Sequence, residues 1–181
     1  GYLQQAGNVV FKFSPLETNG SRWNALAEVR LHTHRDVSDA QNIALMIVDD
    51  GEEGGNDGHW IPTAASIITG MILHLCYSAA ANGKTAALPD LNSVFTVPGQ
   101  SFRDTLHEII NYPHDPQLTH NWVMPSGERT ATHPTVREKC QEMLDKEEKE
   151  FSGVVSTVKT AIALFSDPLV SRSIGSSDFT I

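Results

Sequence analysis

One period governs most of this chain. From Asp36 to Phe165 apolar residues return every three or four positions, the spacing of helices with one buried face. Val37, Ala40, Ile43, Ala44, Ile47 and Val48 form the first stripe, with Asp36 as the expected N-cap and Asp39 near the capping-box position. Asp49-Asp50-Gly51 should end that helix, and EEGGNDG reads as an exposed loop. The run AASIITGMILHLCY, Ala64 to Tyr77, falls short of the ~20 apolar residues of a bilayer span and reads as a core helix from about Trp60 to Tyr77. Gly70 in its middle suits a close helix crossing. A chain so patterned folds as a bundle, and the expected fold class is all-α with about six or seven helices.

The later helices carry their own punctuation. Pro89 opens a short one around Leu88 to Phe95. Ser101 with Asp104 resembles a capping box, followed by Phe102, Leu106, Ile109 and Ile110 and stopped by Pro113. Residues 113–133 are rich in Pro, His, Thr and Asn and read as a long loop with one short turn around Trp122. From His133-Pro134 to Phe165 a single apolar face, Val136 through Val154 and Val158, predicts one helix of roughly 45 Å if unbroken, with Ser152-Gly153 as the place for a kink. Asp145–Lys149 and Glu142–Lys146 are the expected i,i+4 pairs on it. Ser166-Asp167-Pro168 ends it and starts a last helical turn.

Only the two extremities break the helical pattern. GNVVFKF, Gly7 to Phe13, has strand propensity, and Phe179-Thr180-Ile181 looks like a strand just begun. Two isolated strands around a helical body suggest an insertion into a sheet supplied by a larger parent.

Composition narrows the functions. A net charge of −9 repels phosphate and disfavours nonspecific DNA binding, so protein partners with basic faces are the easier reading. Cys76 and Cys140 sit inside apolar patterns and read as buried free thiols. The segment GYLQQAGN has neither a charged leader nor an apolar run, so no signal peptide is expected and the chain reads as soluble. No GxxxxGK[ST], GxSxG, HExxH or CxxC occurs; the chain should not hydrolyse ATP by itself. The eight histidines match no zinc spacing and read as solvated loop residues, with His74 packed on its helix. Trp23, Trp60 and Trp122 read as core residues. The DKEEKE run, Asp145 to Glu150, is either the wet face of a helix or a docking surface for a basic partner.

GNVVFKFSP, RWNALAEVRL, DAQNIALMIVD, NDGHW and the long stretch from HPTVREKCQEML to SSDFTI resemble the TraG-type coupling proteins of conjugation and type IV secretion. SGVVSTVKTAIALFSDP, SSDFTI, RWN and DAQNIA are the most specific parts; residues 84–132 match in helix patterning alone. The resemblance implies a membrane-anchored, hexameric ATPase whose RecA-like nucleotide-binding domain is interrupted by an all-α domain. Residues 1–20 would then be a flanking strand and linker, 21–174 the all-α domain, and 175–181 the start of the return strand. The implied setting is a cytoplasmic domain of a bacterial inner-membrane protein, with ATP and Mg bound by the parent and no cofactor in this segment. Implied partners are a relaxase or relaxosome, secreted effectors, and DNA carried by the relaxase; the segment alone should be monomeric. Glu138, Glu142, Asp145 and Lys149 are the candidate partner-binding residues. The alternatives are an insert that regulates DNA-dependent ATP hydrolysis, and direct DNA binding.

Overall fold

The computed structural model describes residues 11–49 and 60–180. They form seven α-helices: α1 Asp36–Val48, α2 Ile61–Ala81, α3 Asp90–Phe95, α4 Phe102–Ile109, α5 Pro134–Leu144, α6 Glu148–Ile162 and α7 Pro168–Ile174. Short 3-10 segments cover Ala25–Glu28 and Ala163–Ser166. No strand longer than a single bridge occurs among the described residues. Residues Gly7–Val10 of the expected first strand, the loop 50–59 and Ile181 lie outside the described residues; Phe11–Phe13 contribute one parallel bridge, Phe13 to Ser21, and residues 178–180 are irregular.

The core is built around α2, which packs against α1, α5 and α6. Ile68, Met71, Ile72 and Leu73 are fully enclosed there, as are Ala40 and Ala44 on α1 and Val154 and Val158 on α6. By length and apolarity α2 could cross a membrane, yet most of it is buried in the bundle, as a core helix is. Gly70 is where α2 meets α5: a Cβ there would lie 2.9 Å from Lys139 Cβ. The small residue lets two helix backbones approach, as the sequence led us to expect.

Three local expectations need correction. First, the long C-terminal helix is broken not at Ser152-Gly153 but at Asp145-Lys146-Glu147. Glu147 is extended (φ −61°, ψ 154°) and α6 starts after it. Arg103 holds this corner: its guanidinium donates to the carbonyls of Leu144 (3.0 Å) and Lys146 (3.1 Å) and stacks 4.0 Å over the Phe151 ring. An apolar stripe continues through a corner when both helices still face one core, so periodicity alone cannot show the break. Gly153 serves instead to admit Trp60, whose ring lies 3.1 Å from where a Cβ would be.

Second, the break undoes the expected ion pairs. Lys146 pairs with Glu150, and Lys139 is shared between Glu138 (2.9 Å) and Glu142 (3.2 Å). Third, Asp36 does not cap α1. Arg35 occupies the N-cap position without a side-chain bond, and Asp36 points into the core. Asp39 turns outward to Arg30 (Oδ1 to Nη2 2.5 Å).

Elsewhere the punctuation holds. Ser101 and Asp104 form a reciprocal capping box on α4, and Asp167 caps α7, accepting from the N–H groups of Leu169 and Val170. Cys76 and Cys140 are buried free thiols, which burial pushes up to about 12, far from reactive thiolate.

The segments flanking the bundle lie side by side. Arg22 donates to Asp178 through Nη2 (2.6 Å) and its backbone N–H (2.9 Å), and the Asp178 N–H returns a bond to the Arg22 carbonyl. The Asn24 N–H donates to Ser177 Oγ (2.9 Å), while the Phe11 and Phe179 rings lie 5.0 Å apart. RWN and SSDF therefore form one joint.

Candidate functional site

Residues 113–133 are not a solvated loop; they are anchored by His114 and His133, which were expected in water, against His74 on α2. His114 and His133 are buried, and His74 is largely so. A hydrogen-bond chain orders them. The His133 backbone N–H donates to His114 Nδ1 (3.2 Å), which makes that nitrogen an acceptor and leaves the His114 proton on Nε2. Nε2 then donates to His74 Nδ1 (3.0 Å). Both rings are thereby neutral. Burial lowers His74 to about 4; burial and then the neighbouring His74 and His133 lower His114 to about 3.

Asp36 is the anion of this interior. Its Oδ2 accepts from Tyr77 Oη (2.5 Å) and faces His133 Nε2 at 3.4 Å, while Oδ1 accepts from the Val37 N–H. Burial alone would raise its carboxyl, but the bonds from His133, Tyr77 and Val37 outweigh that and hold it below its ordinary value. Burial and the Asp36 bond push the Tyr77 phenol upward. Trp122 closes the cluster, 5.3 Å from the Tyr77 ring and 4.8 Å from His133, so it is structural as expected. Among the described residues no group of three or more His, Cys, Asp or Glu is disposed to hold a metal. His74 Nδ1, both nitrogens of His114 and His133 Nε2 are committed to one another, to the His133 backbone N–H and to Asp36, while His133 Nδ1 is buried without a partner.

Outside this anchor the chain makes a small hairpin. Val123 and Arg129 form an antiparallel bridge, flanked by Thr130 N–H to Trp122 O (2.9 Å) and Met124 N–H to Glu128 O (2.7 Å). Arg129 ties back to Asn121 Oδ1 (2.8 Å) and to the Leu118 carbonyl, fixing two residues held at positive φ. Pro125-Ser126-Gly127 is the local signal for this turn, with Gly127 at φ 86°.

A groove of about 700 Å³ runs between the hairpin and α5. Val123, Met124, Pro125 and Pro134 supply apolar walls; Glu138, Glu142 and Asp145 line it with Arg137 and Gln141. The three carboxylates named from the sequence are brought together here. Lys149 is not; it lies past the break on α6, exposed and off the groove. One ammonium, Lys139, serves both Glu138 and Glu142, and Asp145 accepts only a neutral amide proton, from Gln141 Nε2 (2.6 Å). The apolar half of the site could not be read beforehand, because it depends on where residues 122–130 fold back. This arrangement sets a negatively charged rim beside apolar walls.

Residues 2–181 match the family model described as "Type IV secretory system Conjugative DNA transfer". Two curated relatives from Escherichia coli, both named conjugal transfer protein TraG, are 36% identical to it, over 184 and 180 residues. The alignments take in 100% and 98% of this chain but 26% of each relative, so the chain spans about a quarter of their length. No solved structure matches it. By the family match and by identity along its whole length, the chain belongs to the TraG-type family of conjugative DNA transfer proteins.

Proposed function

We propose that this chain is the all-α, substrate-docking module of a conjugative coupling protein, non-catalytic in itself, and that it recruits the relaxase or protein effectors to the transfer machinery. The observation that carries the reading is the groove on α5, where Glu138, Glu142 and Asp145 border apolar walls. Negative charge at such a rim speeds encounter with a basic partner and sets its salt sensitivity, while the apolar walls give residence. The chain's net charge of −9 favours a basic protein over DNA as the direct partner.

The flanks support an insert within a larger protein. A body whose two flanking segments leave together, here joined by Arg22–Asp178 and Asn24–Ser177, can interrupt another domain without distorting it. We assign residues 1–20 and 175–181 to a RecA-like parent that would bind ATP and Mg and assemble as a hexamer at the bacterial inner membrane.

The test is capture of the cognate relaxase by the purified chain. Retention that weakens as salt rises from low to physiological supports the reading. No retention, with recruitment in the parent lost only when other domains are deleted, refutes it.

A further inference from the structure

The hairpin that walls the groove leaves main-chain groups open at Val123. The Thr130 N–H donates across the hairpin to the Trp122 carbonyl and the Met124 N–H to the Glu128 carbonyl, so Val123 sits at a position where its own N–H and carbonyl are directed away from the partner strand. Neither group has a partner among the described residues, and Val123 is 53% exposed. Beside this edge stand Met124, Pro125 and Pro134, and beyond them the carboxylates of Glu138, Glu142 and Asp145. Counting Lys139 and Arg137 against these three acids, the surface keeps a net negative charge. A helix would leave the open edge unpaired, and an acidic segment would be repelled. An extended segment can pair with it, because strand addition satisfies main-chain groups while alternate side chains enter neighbouring pockets.

We infer that this groove receives an extended, cationic stretch of a partner protein, paired to the main chain at Val123, with an apolar side chain against Met124 and Pro134 and flanking Lys or Arg side chains toward Glu138, Glu142 and Asp145. The inference rests on the docking function proposed above and names the chemistry of what docks.

The experiment uses labelled peptides as probes: KKVLVKK, its acidic counterpart EEVLVEE, and KKVLVKK with alternate backbone nitrogens methylated. Binding is followed by fluorescence anisotropy and mapped by amide chemical shifts. KKVLVKK should bind and shift residues 122–125 and 134–145. The acidic peptide and the methylated one should each bind about tenfold or more weakly, as should KKVLVKK to the Glu138→Lys/Asp145→Lys double variant. Both substitutions fall on exposed positions, and an unchanged circular-dichroism spectrum checks the fold. Equal binding of the acidic peptide, indifference to methylation, or shifts confined to another face would overturn the inference. So would groove shifts that grow with protein concentration alone, which would make a second copy of the chain the occupant. Relaxase capture separates the two claims: undiminished capture by the double variant removes the groove and leaves the docking function standing. Failed capture by the unaltered chain, with the peptide still seated in the groove, removes the docking function instead.

Discussion

Asp36 and Asp145 belong to regions that treat the same side chain in opposite ways. Asp36 is enclosed, bonded by Tyr77 and Val37 and facing His133, whose backbone N–H leads on to the neutral His114 and His74. Asp145 stands in solvent at a corner, with a single amide as partner. The first region spends its polar groups on holding residues 112–133 in one conformation. The second leaves its charge unmatched where a partner can reach it. The two are layers of one construction: the interior network fixes the His133–Pro134 start of α5, and the outer face of that helix carries the carboxylates. A fixed face is what makes a small charged surface selective.

This contrast can be broken from the inside out. The largest effect should come from Val154→Asp, which puts an unpaired charge at a fully enclosed position; about 4 kcal/mol should be lost, read as a collapsed or much lowered melt by circular dichroism. Asp36→Ala comes next. It strands the Tyr77 hydroxyl and the ring of His133, whose Nδ1 already lacks a partner, at a cost of about 2–4 kcal/mol in denaturant titration. An unchanged midpoint would show that the network does not hold the loop.

Acid should do by titration what Asp36→Ala does by deletion. His74 and His114 are lowered to about 4 and about 3, against about 6.5 in an unfolded chain. Between those values the unfolded state takes up the protons, so stability is full above about pH 6.5 and falls as pH drops toward 4, by up to about 1.4 kcal/mol per pH unit for each histidine. His114→Gln should flatten that slope in melts between pH 7 and 4; an equally steep slope in the variant would place the acid sensitivity elsewhere. Gly70→Ala is smaller: helix propensity gains about 1 kcal/mol, but the new Cβ meets a Lys139 Cβ fixed to the α5 backbone, and a net loss of about 1 kcal/mol is expected. Smallest of all, Glu138→Lys/Asp145→Lys should move stability by less than about 0.5 kcal/mol while weakening partner binding.

The interior was legible where the signal was local. The period placed α1 and α2, Ser101-Asp104 gave its capping box, and Gly70 gave its crossing. What escaped was set by partners distant in sequence. Asp36 looks like an N-cap until Tyr77 and His133 are brought to it, and the histidines of residues 113–133 look solvated until the loop folds inward. The corner at residues 145–147 is held by Arg103, some forty residues earlier on another helix, so nothing near the break announced it. The carboxylates were named from charge alone; their apolar neighbours came only with the hairpin.

Hydrogen exchange of the chain with and without the proposed relaxase partner tests the groove most directly. Protection concentrated at residues 122–126 and 134–145 is the predicted result. A complex that forms while those amides exchange at their free rates would contradict it.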